Sequence, residues 1–225
     1  MIYPPLCFGC RVAVDANNTL CNKCWGKLSI IANPMCKHCG IPFPVEMEGL
    51  CQYCRERKPK YKAARAALRY DDFCEDLIHK YKYYDKTELV PIFANFISKA
   101  GEEIIPICEV IIPVPMDSKK LRQRKYNQAA LLAKKLADIY GKKYIPDYLL
   151  KTKSIPSQSG LTRENRFKNV KGIFAFNLKY RREIYDRVLL IDDVYTTGAT
   201  VIECTKQLKK HGVSEVFILT IAKSF

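Results

Sequence analysis

The chain has 225 residues, of which 48% are hydrophobic and 27% are charged, and its formal net charge is +15. This composition is typical of a globular protein and excludes a disordered chain, while the positive charge favours phosphate-rich ligands of any kind. Because no apolar run reaches the ~20 residues that cross a bilayer, and MIYPPLCFGC lacks signal-peptide features, we predict a cytoplasmic protein without membrane insertion.

Cysteine pairs dominate the first quarter of the chain. Eight of the 11 cysteines form four C-x-x-C pairs, which are Cys7/Cys10, Cys21/Cys24, Cys36/Cys39 and Cys51/Cys54. Disulfides are rare in the cytoplasm, and each pair can place two sulfurs on one tetrahedral ion. The pattern therefore predicts two structural zinc ions. Sequential pairing is the simpler arrangement and cross-braced pairing is the alternative; redox chemistry is disfavoured because four pairs would be superfluous.

A change in composition divides the chain near residues 55–64, RERKPKYKAA. Cysteine pairs come before this segment, and long amphipathic segments follow it. We therefore predict a zinc-binding module over residues 1–58 and a second domain over residues 65–225, each with its own core.

Strands and helices alternate after the division. Predicted strands are RAALRY (65–70), VIIPVP (110–115), GIFAF (172–176), RVLLI (187–191) and EVFILTIA (215–222), and predicted helices cover about 71–83, 87–100, 126–141 and 199–211. Such alternation predicts an α/β domain whose mostly parallel sheet is covered by helices on both faces. The polar stretch over 151–169 has little apolar material and no evident reason to pack.

The stretch RVLLIDDVYTTGAT, residues 187–200, is the strongest functional signal. An apolar strand meets two aspartates, Asp192 and Asp193, and continues into hydroxyl residues around a glycine. Ligands of parallel sheets bind where a strand ends and the next helix begins, and a helix N-terminus favours phosphate. Carboxylates beside a phosphate point to ribose hydroxyls and a divalent cation. The stretch thus predicts a ribose 5-phosphate ligand with magnesium nearby.

The same stretch resembles the phosphoribosyl-pyrophosphate (PRPP) signature of type I phosphoribosyltransferases. Two blocks precede it, IIPVPMDSKKLRQRKYNQAALLAKKLA (111–137) and QSGLTRENRFKNVKGIF (158–174). In this order, and behind cysteine pairs, the blocks resemble the ComF family, which comprises phosphoribosyltransferase-like proteins linked to natural competence. The resemblance covers nearly the whole chain. It implies an α/β type I phosphoribosyltransferase fold with a small N-terminal four-cysteine zinc module.

The resemblance also implies roles for individual residues. Asp192 and Asp193 would be the catalytic residues, holding ribose hydroxyls directly or through magnesium. The pyrophosphate loop would comprise Pro115, Met116, Asp117 and Ser118. The 5-phosphate would be held by Thr196, Thr197, Gly198, Ala199 and Thr200. Residues 151–169 would close over the site and offer Lys151, Lys153, Arg163, Arg166 and Lys168, although a polar connection without a binding role fits the same composition.

The basic block LRQRKYNQ leaves two interpretations open. Arg122, Arg124 and Lys125 would contact pyrophosphate or a DNA backbone, or they would lie on a solvated surface. No histidine is predicted in the site, so the nucleophile of a transfer reaction would come from the acceptor substrate.

The resemblance implies a PRPP-binding protein that acts in DNA uptake and natural transformation. Magnesium-dependent phosphoribosyl transfer and single-stranded DNA binding are its expected activities, and competence helicase or recombination proteins are its candidate partners. One alternative is a non-catalytic nucleic-acid-binding module that PRPP regulates. Another is a metabolic purine or pyrimidine salvage enzyme, which is disfavoured because a small base needs neither the cysteine module nor the charge.

Overall fold

The computed structural model describes residues 4–17, 19–83, 87–153 and 162–225. The helices are α1 (Asn22–Trp25), α2 (Gln52–Arg57), α3 (Asp72–Tyr83), α4 (Val90–Ala100), α5 (Ser118–Arg124), α6 (Gln128–Tyr140), α7 (Arg163–Val170) and α8 (Ala199–Lys210). The strands are β1 (Ala63–Arg69), β2 (Val110–Pro113), β3 (Lys143–Tyr144), β4 (Leu149–Lys151), β5 (Phe174–Phe176), β6 (Arg187–Tyr195) and β7 (Glu215–Lys223). No helix among the described residues is both long and apolar enough to span a bilayer.

Five strands form one parallel sheet in the order β1-β7-β6-β2-β3. The run from Val188 to Ile191 in the central strand β6 is fully buried. Because both faces of the sheet are buried here, the residues of this part of the strand are all apolar and do not alternate with polar ones. Strands β4 and β5 form a separate antiparallel ribbon. The predicted α/β class, a mostly parallel sheet flanked by helices, is confirmed.

The two neighbours of β6 end at different levels, and this difference opens a cleft. Strand β2 pairs with β6 only as far as Pro113, which lies opposite Ile191. Strand β7 continues alongside β6 as far as Tyr195. Residues 192–195 are therefore paired on one side only. The two aspartates, predicted to follow the strand, lie inside it because its pairing with β7 continues past the apolar run.

The N-terminal segment covers the open edge of the sheet. Strand β1 is an edge strand, and residues 29–38 run along its free side. The N–H of Ile31 donates to the carbonyl of Ala67 at 2.9 Å, and the N–H of Ala64 donates to the carbonyl of His38 at 2.7 Å. Covering an edge in this way satisfies backbone groups that would otherwise invite pairing with another chain.

The cysteine module and the sheet domain share their cores, so the prediction of separate cores is wrong. Phe8 and Leu20 pack in one buried cluster with α3, α4 and one face of the sheet. Cys36 and Cys54 pack in a second cluster with Tyr61 and the opposite face. The module has too few apolar residues for a core of its own, so it buries them against the larger domain.

Helix α7 lies in the polar stretch 151–169, where no packed element is predicted. The hydroxyl of Thr162 caps its N-terminus by accepting a backbone N–H. Val170 is buried, and Phe167 packs partly against the core. The prediction of an unpacked segment is therefore wrong for this part of the stretch, whereas residues 154–161 lie outside the described residues.

Candidate functional site

The paired cysteines form two four-sulfur clusters. One cluster comprises Cys7, Cys10, Cys21 and Cys24, and the other comprises Cys36, Cys39, Cys51 and Cys54. Within each cluster the sulfurs lie within 4.8 Å of one another, so the arrangement is sequential and not cross-braced. Distances of 3.6 Å between Cys10 and Cys21 and 3.7 Å between Cys39 and Cys51 approach the ~3.8 Å edge of a tetrahedron with ~2.3 Å zinc–sulfur bonds.

At one cysteine of each cluster, backbone N–H groups favour the thiolate form that zinc requires. The N–H of Cys21 donates to Cys7 Sγ at 3.2 Å, and the N–H of Cys51 donates to Cys36 Sγ at 3.3 Å. Burial raises the pKa of both acceptor thiols, but the backbone donors outweigh it and bring the pKa of Cys7 to about 6 and that of Cys36 to about 7. The clusters thus fit two structural zinc ions, each with four sulfurs and no position left for water.

A cleft of about 510 Å³ opens where β6 extends past β2. This is the position at which parallel α/β sheets bind ligands. Its lining includes several residues predicted for the site: Pro115, Met116, Asp117, Arg124, Arg166, Asp192, Asp193, Thr196 and Thr200. Segments far apart in the sequence therefore meet in one cavity.

The two aspartates lie side by side but differ in environment. Asp193 accepts from the ammonium of Lys82 at 2.7 Å. Burial and the charge of Asp193 raise the pKa of Asp192 well above its usual value. Burial also acts on Asp193, but Lys82 outweighs it and lowers the pKa of that carboxyl. With both carboxylates ionised, Lys82 would compensate one of their two negative charges, and a cation bound beside Asp192 would favour its ionised form.

Lys82 reaches the cleft because α3 is fastened to the start of α6. The hydroxyl of Tyr81 donates to the carbonyl of Gln128 at 2.8 Å, and the side-chain amide of Gln128 donates to the carbonyl of Lys82 at 3.2 Å. Lys82 is not among the residues that sequence patterns place in the site. It lies among other polar residues of an amphipathic helix, and only the packing of two helices distinguishes it from a solvated lysine.

Residues 196–200, the loop rich in threonine, contribute to the cleft only in part. Thr196 and Thr200 line the cleft, whereas Thr197, Gly198 and Ala199 are not among its lining residues. Their contribution is to the turn itself, since Gly198 adopts a φ of +77° as the N-cap of α8.

The segment after β2 combines a cleft wall with a helix cap. Asp117 is 4% exposed, and its carboxylate accepts two backbone N–H groups of α5, at 2.8 and 3.3 Å. Pro115 and Met116 line the cleft beside it, but Ser118 begins α5 and is exposed. The carboxylate of Asp117 therefore has a structural function, as an N-cap, that its predicted place in a pyrophosphate loop does not reveal.

Among the described residues, five cations line the cleft: Lys82, Lys120, Arg124, Lys151 and Arg166. Burial lowers the pKa of Lys151, because the charged ammonium loses favourable hydration at this position. A bound anion would stabilise the charged form again. The cleft is thus suited to a ligand with several negative charges.

The remaining predicted cations lie elsewhere. Arg163 and Lys168 line a second groove on the other side of α7, and Lys153 is exposed outside both cavities. Arg122 and Lys125 are also exposed, so Arg124 is the cation of the block LRQRKYNQ that lines the cleft, together with Asn127 and Gln128.

The donor set of the aspartate pair fits magnesium. Carboxylate oxygens are the ligands that Mg²⁺ prefers, and it commonly binds through one or two of them, taking its other ligands from phosphates and water. Among the described residues, only the two cysteine clusters gather three or more metal-binding side chains around one point. Asp192 and Asp193 would therefore hold a magnesium ion that arrives with a phosphorylated ligand.

Comparisons with known proteins agree with this architecture. Residues 1–56 match the family described as "Double zinc ribbon domain". Competence protein F of Haemophilus influenzae is 29% identical over 224 residues, which cover 97% of this chain and 96% of that protein. Competence protein ComFC of Streptococcus pneumoniae is 27% identical, covering 92% and 89%. DNA utilization protein YhgH of Escherichia coli K12 is 22% identical, covering 98% of each chain.

Solved structures of phosphoribosyltransferases are also similar to part of this chain. The glutamine PRPP amidotransferase of B. subtilis gives a TM-score of 0.41 at 19% identity and covers 63% of this chain. An adenine phosphoribosyltransferase gives a TM-score of 0.37 at 14% identity, covering 67% of this chain and 84% of that one. The amidotransferase is the longer protein, and this chain spans 30% of its length.

The curated relatives match this chain nearly from end to end. The resemblance to the ComF family, indicated by three sequence blocks and the cysteine pairs, is thereby confirmed. The chain is similar to the competence F and ComFC proteins over nearly its whole length, with a double zinc ribbon in front of a parallel α/β domain.

Proposed function

We propose that the chain is a PRPP-binding, phosphoribosyltransferase-like protein that acts in DNA uptake. One observation carries the proposal: in the part of the chain that the structure describes, an aspartate pair, the start of a hydroxyl-rich loop and five cations converge in a single cleft at the end of the central strand. A ribose with a 5-phosphate and a pyrophosphate presents hydroxyls and many negative charges together, which this combination of groups complements.

Each part of the ligand has a partner in the cleft under this proposal. Thr196 and Thr200, with the N-terminus of α8, bind the 5-phosphate. Asp192 and Asp193 accept hydrogen bonds from the ribose hydroxyls and ligate magnesium. Lys82 then exchanges part of its interaction with Asp193 for the ligand phosphates. Bound magnesium would neutralise charge on the pyrophosphate and so make it a better leaving group.

Phosphoribosyl transfer breaks the bond between C1 of the ribose and a pyrophosphate oxygen, and the acceptor atom forms the new bond to C1. The acceptor loses its proton to water or to the released pyrophosphate. Positive charge develops on the ribose ring, so the step depends on stabilising the leaving group and excluding water more than on a strong base. Of the described residues that line the cleft, none is a histidine, and the acceptor supplies the nucleophile.

The role in DNA uptake rests on the relatives. Three of them are named for competence or DNA utilization, and the net charge of +15 suits a nucleic-acid partner. We include single-stranded DNA as a partner and keep the predicted module over residues 1–58 and domain over residues 65–225 as part of the proposal.

Isothermal titration with PRPP, with and without magnesium, tests the ligand. Replacing both aspartates, Asp192→Asn with Asp193→Asn, should weaken PRPP binding and abolish its magnesium dependence. Thr200→Val should weaken binding while magnesium dependence remains. The loss of such a hydrogen bond typically costs about 1–3 kcal/mol, or roughly tenfold to hundredfold in affinity.

Leu150→Ala, an exposed position on β4 outside the cleft, serves as the control and should bind PRPP like the unaltered chain. If the folded aspartate variant binds PRPP normally, the cleft is not the PRPP site. Pyrophosphate release measured with candidate acceptors, including bases and single-stranded DNA, then separates an enzyme from a protein that PRPP regulates. Release with a purine or pyrimidine base would favour the salvage alternative.

A further inference from the structure

A second groove lies between the cysteine module and the sheet domain. Helix α2 and residues 57–60 form one wall, and helices α7 and α8 form the other. Its volume is about 660 Å³, which makes it at least as large as the cleft at the aspartates. We refer to it as the junction groove.

The rim of the junction groove is strongly basic. Its cations are Arg57, Lys58, Lys60, Arg163, Lys168 and Lys206, against two acidic residues, Glu56 and Glu164. Lys206 pairs with Glu203 at 3.2 Å. Ion pairs between described residues leave Lys58, Lys60 and Lys168 without a carboxylate partner. The groove therefore has an excess of exposed positive charge that an anionic partner would neutralise.

Two aromatic rings line the groove between its basic residues. Tyr53 and Phe167 are half-buried and face the groove from opposite walls. The planar guanidinium of Arg163 lies 4.1 Å from the centre of the Tyr53 ring. Arg163 is exposed, so a planar base can displace its side chain from this ring face.

We propose that the junction groove binds single-stranded DNA, with phosphates along its basic rim and bases stacked on Tyr53 and Phe167. The inference rests on the proposed function in DNA handling and gives it a location. Basic grooves with aromatic platforms are the usual design of proteins that bind single strands without sequence preference. An acidic polypeptide would satisfy the charges but not the rings, and duplex DNA hides its base faces.

Helix α7 places this strand beside the PRPP cleft. Arg166 and Val170 line the cleft, whereas Arg163, Phe167 and Lys168 line the junction groove. The helix is therefore a common wall of both cavities, and the bound strand lies about one helix diameter, ~10 Å, from the cleft.

Fluorescence anisotropy with the zinc-loaded full chain and a labelled oligothymidylate of about twenty nucleotides tests the proposal, since single-stranded DNA-binding folds cover ~4–16 nucleotides. Tyr53→Leu with Phe167→Leu places apolar side chains at both positions but removes the stacking faces. Its affinity should fall about tenfold or more, with an unchanged salt dependence. Lys60→Gln with Lys168→Gln should instead lower the slope of log affinity against log salt by about 1.4, since each phosphate contact on a single strand contributes ~0.7.

Matched controls test the location. Lys134→Gln with Lys210→Gln removes the same charge from exposed positions on α6 and α8 outside the groove, and it should leave binding nearly unchanged. Arg122→Gln with Lys125→Gln tests the rival basic surface of α5. Zinc content and melting temperature establish that each variant is folded, and the lysine variants remain informative if the aromatic variant does not fold.

Three outcomes would overturn the proposal. If the groove variants bind like the control, or if only the α5 variant loses affinity, the DNA lies elsewhere and the proposed function stands. If polyglutamate of matched charge displaces the oligonucleotide as well as unlabelled oligothymidylate does, the groove recognises an acidic polypeptide. If the unaltered chain binds no single-stranded DNA at low salt, the DNA-binding part of the proposed function fails too, whereas PRPP titration remains an independent test.

Discussion

At Gly198 the chain turns sharply above a buried tyrosine. The φ of this residue is +77°, and a Cβ built on it would overlap the hydroxyl oxygen of Tyr195. That hydroxyl shares a 2.9 Å hydrogen bond with Tyr61, and the ammonium of Lys223 lies 3.5 Å from the centre of the Tyr195 ring. The start of α8, next to the cleft, therefore rests on a set of buried contacts that allow little adjustment.

Gly198→Ala should lower stability and PRPP affinity together. The left-handed backbone and the overlap with Tyr195 would cost about 2–4 kcal/mol in the free energy of unfolding, and displacing the loop should weaken PRPP binding at least about tenfold. Gly172→Ala is the matched control, because Gly172 has a φ of +70° but nothing within 4 Å of a built Cβ. It should cost about 1–2 kcal/mol and leave PRPP affinity unchanged. Urea unfolding and titration measure both; equal PRPP affinities would show that this turn does not shape the cleft.

Among the elements, the second zinc ribbon packs tightly against the sheet. Gly40 follows the knuckle of Cys39, and a Cβ there would lie 2.6 Å from the carbonyl of Ala64 in β1. The Cys36, Cys39 and Cys54 side chains belong to the same buried cluster as Tyr61 and Tyr195. Binding of zinc at this cluster would therefore stabilise the sheet domain as well as the ribbon.

Cys51→Ser should lower zinc content from two ions per chain, one for each cluster, to one. Because the cores are shared, the melting temperature of the whole chain should fall in a single transition. Metal analysis and calorimetry measure the two effects. Cys74→Ser is the control, since Cys74 is buried but belongs to neither cluster, and it should retain two zinc ions. A Cys51→Ser chain that loses zinc without any change in its main transition would contradict the coupling.

At the scale of the whole molecule, the division near residue 58 separates a cysteine-rich segment from an amphipathic one. It does not separate two hydrophobic cores. The module covers the edge of β1 and buries Phe8 and Leu20 against the helices of the larger domain. Positive charge is also shared between the two parts, because each part supplies one wall of the junction groove and some of its cations. The boundaries over residues 1–58 and 65–225 remain a prediction.

A chain reduced to residues 59–225 should fold poorly. Removing the module exposes the edge of β1 and an apolar surface on α3 and α4, and both favour aggregation. Size-exclusion chromatography and thermal melting, with the zinc-loaded full chain as the reference, measure the effect. A monomeric fragment that melts like the full chain would restore the interpretation of two separate cores.

Local sequence patterns are sufficient to predict three features. These are the cysteine ligands, the alternation of strands and helices, and the aspartates and threonines that follow VLLI. Each of these features depends on spacing within a few residues, so neighbouring positions alone predict it. Lys82, by contrast, reaches Asp193 only because α3 packs on α6. The folded part of 151–169, the shared cores and the junction groove likewise depend on contacts between distant segments. Those contacts are determined by which apolar faces remain to be buried once all elements are present, and no single stretch of sequence contains that information.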